Sequence, residues 1–362
     1  MQFIFGRELT EGELYDRKEE LNLVVNSYAT RQPLAIIGFR RNGKSSILNA
    51  SKSILEEMGI LVIKFNLEGI SNLNDYSRRF IDSMLKELSK RYKIKYYKEE
   101  LKKFINMFLG SISQINVRLS NLEFSFDRYN DYIENRIKAS EILENILDMP
   151  EKLAEDLNEN IVVIIDEFQY VRTLKQPFPE ILRLLRSKFN SHIHVQYIIS
   201  GSEVGILDQL LNSKNEPFYA FFRTLEIKPF TRQETIDFLK AGFKSYSINC
   251  EIGIIEKIYE VTRGIPAWLN LAGIDLVESK CDVSRFLNDS TYKNIINYEL
   301  KNLTKNEMLV LRGLSMDMKV SEIIISNKFR ILTSLIKKGI IIKEDKNYRI
   351  SDNLIRYCIL NN

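Results

Sequence analysis

The chain has 362 residues, 44% hydrophobic and 28% charged, with a formal net charge of only +4. That length allows two or three domains, and that balance excludes both a disordered chain and a polycation. Three scattered cysteines without a C-x-x-C spacing and only two histidines argue against a Cys/His metal site and point to a reducing cytoplasm, while the absence of a charged-then-apolar start or a long apolar run leaves no signal peptide or membrane span to expect.

Phe3 to Glu8 reads FIFGRE and leads into a charged helix predicted over 11–30. Leu34 to Ile37 is an apolar run that reads as a short buried strand. It runs into Gly38-Phe39-Arg40-Arg41-Asn42-Gly43-Lys44-Ser45, which fits the phosphate-loop pattern G-x-x-x-x-G-K-[ST], and Ser46 continues as the first turn of a helix. The residue types have a direct physical role. Gly38 and Gly43 permit backbone conformations and close approach that a Cβ would block. The loop amides form an anion-binding nest, and the helix behind adds its unsatisfied N–H groups. Lys44 brings a full charge to the β- and γ-phosphates, and Ser45 offers a hydroxyl to Mg²⁺. Ahead of such a loop, Phe5, Gly6 and Arg7 suit a wall for an adenine ring; the alternative is an N-terminal strand packed on the core.

Ile60 to Phe65 is a second buried strand, and an amphipathic helix follows over 75–90. Residues 91–157 read as an insert. Its first part, up to Phe104, is crowded with Lys and Tyr and suits a solvated helix face or a partner surface. Alternation over 111–126, broken at Ser120-Asn121, predicts a β-hairpin, and helical spacing returns over 131–157. Ile161 to Ile165 is a continuous apolar run, the mark of a strand covered on both faces. It ends in Asp166-Glu167, where Asp166 would hold Mg²⁺ and Glu167 would polarise the attacking water. Adjacent acids after a strand are weak evidence alone and strong evidence beside a phosphate loop.

Val195 to Ser200 is the next strand. Ser200 and Ser202 alternate faces, so only one is expected to reach between the acids and the γ-phosphate, and Ser200 is the choice. His192 and His194 read as edge residues rather than metal ligands. Phe218 to Phe230 reads FYAFFRTLEIKPF, and Arg223, the charge set against its aromatic run, calls for an anionic partner, either a γ-phosphate or an acid. A last strand is predicted at Leu225 to Ile227. From Thr231 to about Asn297 the spacing is helical throughout, interrupted by Arg263-Gly264-Ile265-Pro266, a sharp corner where Pro266 is expected near the nucleotide; the alternative is an ordinary corner between helices. Trp268 is expected in the core of this helical lid. Beyond Leu303, three short helical segments and a two-stranded hairpin suggest a winged helix. The segment 301–362 carries the chain's positive excess. On its third helix Lys328, Arg330, Thr333, Ser334 and Lys337 fall opposite Phe329, Leu332, Leu335 and Ile336. That polar face suits a DNA major groove, with Lys343, Lys346 and Arg349 near phosphates; protein docking is the alternative.

The set FGRE, GFRRNGKSS, IVVIIDEFQ, ISGS, FFRTLEIKPF and RGIPAWL, in this order, resembles the archaeal ATPases of the STAND branch of AAA+-like P-loop proteins. The resemblance implies an α/β core with a five-stranded parallel sheet (1–229), a helical lid (230–298) and a winged helix (299–362). It implies ATP or ADP bound with Mg²⁺ between sheet and lid in a slowly cycling nucleotide switch. Three departures stand out: Lys-Ser-Ser where Lys-Thr-Ser is usual, Phe222 in place of a glycine before Arg223, and Arg263 in place of the first of two glycines at the corner. The expected roles are Lys44 and the loop amides on phosphate, Ser45 and Asp166 on metal, Glu167 on water, and Arg223 or a partner's arginine on the transferring charge. The alternatives are an ATP-regulated DNA-binding protein laid out like archaeal replication initiators, and a nucleotide-held scaffold without turnover. The partner and the oligomeric state stay open.

Overall fold

The architecture grows from apolar runs whose residues alternate between two faces. The computed structural model describes residues 1–92, 117–119, 122–124, 135–175, 180–344 and 347–361. Its strands are β1 (Leu34–Ile37), β2 (Leu61–Asn66), a small antiparallel pair β3 (Val117–Leu119) and β4 (Leu122–Phe124), then β5 (Ile161–Asp166), β6 (Val195–Gly201) and β7 (Arg223–Glu226). Five of them form one sheet in the order β2-β5-β6-β1-β7, every neighbouring pair parallel. β5, at the heart of the apolar pattern, is buried along its whole length.

One sheet face carries Leu34, Ile36, Val62, Val162, Ile164 and Ile198. It is covered by α1 (Lys18–Thr30) and α2 (Lys44–Glu57) through Leu21, Val24, Ile47, Leu48 and Leu55. The other face carries Ala35, Ile63, Val163, Ile165 and Ile199. It packs against α3 (Leu73–Tyr92), α4 (Asn135–Leu157), α5 (Ile181–Ser191) and α6 (Val204–Asn212) through Phe80, Met84, Leu147, Leu185 and Leu210. Period-two strands between two helical layers leave the carboxyl ends of the strands as the open edge, where ligands of such sheets bind. Ile37 and Gly201 are paired there, and Asp166 ends β5 beside them.

A third core joins the rest of the chain. It includes α7 (Arg232–Ser245), α8 (Ile252–Thr262), α9 (Pro266–Glu278), α10 (Val283–Leu287) and α11 (Ser290–Lys301), and it continues into α12 (Lys305–Ser315), α13 (Lys328–Lys337), the antiparallel pair β8 (Ile341–Glu344) and β9 (Asn347–Ile350), and α14 (Asn353–Asn361). Phe3, Phe243, Trp268, Phe286, Tyr292, Leu311, Leu335 and Leu354 all belong to it. α7 and α12 start on matching capping boxes, Thr231 with Glu234 and Thr304 with Glu307. Among the described residues no helix is long and apolar enough to cross a membrane.

Several expectations need correction. The helix over 11–30 is a short 3₁₀ turn, Glu11–Glu13, followed by α1, and the FIFGRE stretch is not a strand. Within the stretch expected as a hairpin, 117–119 and 122–124 pair antiparallel with Val117 opposite Phe124, while the rest of 111–126, its turn included, the Lys/Tyr-rich stretch from 93 onward and Lys346 lie outside the described residues. The middle of the three expected C-terminal helical segments is only a 3₁₀ turn, Val320–Glu322, and a further helix, α14, follows the hairpin. Phe329, expected inward on α13, is 83% exposed, because Ile331, Leu332 and Leu335 set the buried stripe. Cys250 and Cys281, read as thiols of a reducing compartment, are joined in a disulfide, and only Cys358 is free.

Candidate active site

The phosphate loop is held from behind by β7. A Cβ on Gly38 would stand 2.5 Å from the Ile227 carbonyl oxygen. Asn42 donates its amide to that same oxygen at 3.0 Å. Gly38 and Asn42 therefore fasten the loop to Ile227, the residue after β7. Gly43 caps α2 in the left-handed region, φ 91°, which glycine adopts without the penalty other residues meet. Lys44 opens α2 and is buried; its Nζ donates to the Phe39 carbonyl oxygen at 2.9 Å. Burial pushes the Lys44 ammonium down to about 8, against the opposing pull of Glu167 and Asp166.

Across the open edge stand the two acids. Asp166 is buried and accepts from Ser45 Oγ at 3.2 Å on one oxygen and from Ser200 Oγ on the other. Glu167 follows in the left-handed region, φ 53°, which turns its side chain away from the strand's alternation. Its Oε2 accepts from the Ser202 amide at 3.2 Å, from Ser202 Oγ at 2.8 Å, and from the Gln169 side-chain amide. The expectation that only one serine serves the acids is thus wrong: residues two apart in a strand share a face, and Ser200, within β6, holds Asp166 while Ser202, just past its end, holds Glu167. Gln169 was missed as a site residue, although it closes the same D-E-F-Q run. The donor set fits a hard cation: a hydroxyl and a buried carboxylate oxygen already in contact, Ser45 and Asp166.

The loop and Glu167 open on a cavity of about 650 Å³. Arg40, Arg41, Gly43, Lys44, Ser45, Ser46, Glu167 and Ser202 form one side, and Phe5, Gly6, Arg7 and Pro266 form the other. The N-terminal segment is tied to both halves. The Leu9 amide donates to Ser46 Oγ at 3.1 Å, and the Ile4 amide donates to Asn270 of α9 at 2.8 Å. Arg7 is paired with Glu13 at 2.6 Å. Phe39, expected among the binding residues, faces away from this cavity toward the C-terminal elements.

The loop arginines reach the third core. Arg41 pairs with Glu299 of α11 at 2.7 Å and with Asp352, just ahead of α14, at 3.3 Å. Its guanidinium lies 4.6 Å over the Trp268 ring, and Trp268 Nε1 donates to Asp352 at 2.8 Å. The Arg41 carbonyl accepts from Ala267 at 3.3 Å. Arg40 reaches Glu299 at 3.3 Å. Nothing local in the sequence announces Glu299 or Asp352, which lie 258 and 311 residues from Arg41.

Arg223 does not join the site. It pairs in register with Leu34 at the amino end of the sheet, opposite the edge where the loop sits. It is exposed there, without an ion-pair partner among the described residues. Arg263 caps α8 in the left-handed region and lines another cleft, shared with Phe39 and Asn42, rather than the cavity that holds Lys44, Ser45 and Glu167. His192 bonds Tyr197 and Asp148, and His194 bonds Glu151 and lies with Glu151 and Glu155 in a group whose ligand atoms are all within 4.8 Å of one another.

The model of a family described as an ATPase domain predominantly from Archaea matches residues 14–271. Among solved structures, the Walker-type ATPase PABY2304 of Pyrococcus abyssi superposes with a TM-score of 0.72 at 24% identity, covering 99% of this chain and 100% of that one. The ORC2 protein of Aeropyrum pernix, solved in complexes with ADPNP and ADP, superposes with a TM-score of 0.56 at 13% identity, covering 99% and 96%. No curated protein matches the chain. At these identities the structural matches speak for the fold.

Proposed function

The chain belongs to the family of ATPase domains found predominantly in Archaea, and we propose that it binds ATP with Mg²⁺ and hydrolyses it as a nucleotide-controlled switch. The observation that carries this reading is the convergence, on one cavity, of Lys44 and Ser45 from the loop after β1 and Glu167 from the end of β5, two strands away, with Asp166 in contact with Ser45. Lys44 and the loop amides bind the phosphates. Ser45 and Asp166 would hold Mg²⁺, which when bound neutralises phosphate charge. Glu167, fixed by Ser202 and Gln169, orients a water toward the terminal phosphate. Phe5, Gly6 and Arg7 give the base its wall, and Pro266, the first residue of α9, sets the helical lid against the nucleotide. Arg223 is open only to a neighbouring molecule, so an arginine finger from it acts in trans.

The test is ATP turnover and nucleotide affinity for the wild type, Glu167→Gln and Lys44→Ala. Glu167→Gln is expected to keep affinity and lose turnover by a hundredfold or more, on the order of a general-base contribution. Lys44→Ala is expected to lose affinity. Equal turnover in wild type and Glu167→Gln removes Glu167 from the mechanism, and unchanged affinity in Lys44→Ala removes the phosphate loop.

A second reading, DNA binding through a winged helix built from α12, α13 and the β8–β9 hairpin, is favoured by the positive excess of this segment. On α13, Arg330 is exposed, whereas Lys328 is bonded to the Val320 carbonyl and Ser334 to Glu307. It predicts duplex affinity that falls steeply with salt. No duplex binding at low salt with nucleotide present would exclude it.

A further inference from the structure

The two adjacent arginines of the phosphate loop are held very differently. Arg41 is fixed on every side: its guanidinium lies on Trp268 and pairs with Glu299 and Asp352, its carbonyl accepts from Ala267, and its side chain is 17% exposed. Arg40 has a 46% exposed side chain and, among the described residues, one ion pair, to the Glu299 oxygen that Arg41 already holds at 2.7 Å. If Arg40 turns away, Glu299 keeps its closer partner. Arg40 also lines the same cavity as Lys44, Ser45 and Glu167, so a short rotation brings its fork toward the position of a terminal phosphate.

We propose that Arg40 is the residue that distinguishes a nucleoside triphosphate from a diphosphate: it leaves Glu299 for the γ-phosphate, and in doing so loosens one of the ties between the phosphate loop and α11. The physics is a competition for one guanidinium. A half-exposed pair to a shared carboxylate is a weak hold. A terminal phosphate offers more charge and a bidentate geometry that arginine matches. Glu299 and Glu167 both face the cavity, so a triphosphate brought in without Arg40 meets two carboxylates, while a diphosphate ends short of them. This inference rests on the ATP-binding reading above and adds which side chain reads the third phosphate.

The experiment measures ADP and ATP affinity with Mg²⁺ by calorimetry, using Glu167→Gln as the background so that ATP persists. The variants are Arg40→Ala, Arg40→Lys, Glu299→Gln and the Arg40→Ala/Glu299→Gln double. Arg40→Ala is expected to weaken ATP about tenfold or more, the size of one charge-assisted bond, with ADP nearly unchanged. Arg40→Lys restores part of the preference. Glu299→Gln strengthens ATP over ADP when Arg40 is present and gives a smaller gain in the double variant. Equal losses for ADP and ATP in Arg40→Ala, or strictly additive effects in the double, overturn the proposal. A background protein that binds neither nucleotide refutes the ATP-binding reading itself, a result distinct from either.

Discussion

Replacing Arg41 by methionine keeps an apolar stem and removes the guanidinium, with its ion pairs to Glu299 and Asp352 and its place over the Trp268 ring. The left-handed backbone at this position, φ 69°, costs Met no more than Arg, so the effect belongs to the side chain. Glu299 retains Arg40, but Asp352 is left with Trp268 Nε1–H and the Leu354 amide as its donors and no counter-charge. Burial already raises the Asp352 carboxyl above its usual range, with Arg41 opposing that rise. Arg41 and Asp352 are 17% and 10% exposed, so the pair lies largely out of solvent screening. Breaking a buried pair from one side costs about 3–5 kcal/mol, and partial exposure places the expectation at about 3. The single tryptophan of the chain is Trp268 itself, fully buried and bonded to Asp352, so its fluorescence reports directly on this core. With an m-value of about 2 kcal/mol/M, the urea midpoint by tryptophan emission should fall by about 1.5 M. Arg41→Met/Asp352→Asn should recover most of that loss, because a neutral amide still accepts from Trp268 and needs no counter-charge. A shift below about 0.5 kcal/mol, or a double variant as unstable as the sum of the singles, refutes the reasoning that the cost lies in a stranded carboxylate.

Because burial lowers Lys44 to about 8 in the free protein, the loop needs to take up a proton to grip phosphate above that pH. ATP affinity should fall as pH rises past about 8, by up to tenfold per unit, and calorimetry in buffers of different ionisation enthalpy at pH 9 should show proton uptake; none would refute it. The sign for folding is opposite: between about 8 and the ordinary lysine value near 10.5 the unfolded chain binds the extra proton, so this group makes the free protein more stable with rising pH. Gly264→Ala should cost more than about 3 kcal/mol, since its Cβ would stand 1.9 Å from the Phe230 carbonyl at φ 77°, while Gly253→Ala, with open space around it, should be neutral or mildly stabilising in thermal melts. Cys281→Ser, which opens a loop spanning 31 residues between α7 and α10, should lower stability by about 3–4 kcal/mol in denaturant titration, and reduction of the wild type should reproduce it.

The linear chain determined those features whose physics is local. A phosphate nest needs glycine, lysine and a hydroxyl within a few residues, so the loop from Gly38 to Ser45 could be read directly. A strand covered on both faces needs an unbroken apolar run, so Ile161 to Ile165, and the acids at its end, were equally legible. Tertiary structure decided everything that depends on register or on long loops. Arg223 reads as a phosphate partner in sequence, but four residues of β7 pair from Leu34 to Ile37 and leave it at the far end of the sheet. Two serines serve two acids because Glu167, at φ 53°, turns off the course of β5 and brings its carboxylate to Ser202, while Asp166 stays beside Ser200. Glu299, Asp352 and Trp268 meet Arg41 only because a single apolar core folds the last third of the chain back over the loop. Ion pairs made across hundreds of residues leave no periodicity behind, since one carboxylate on a helix face looks like any other until the opposite charge is packed against it.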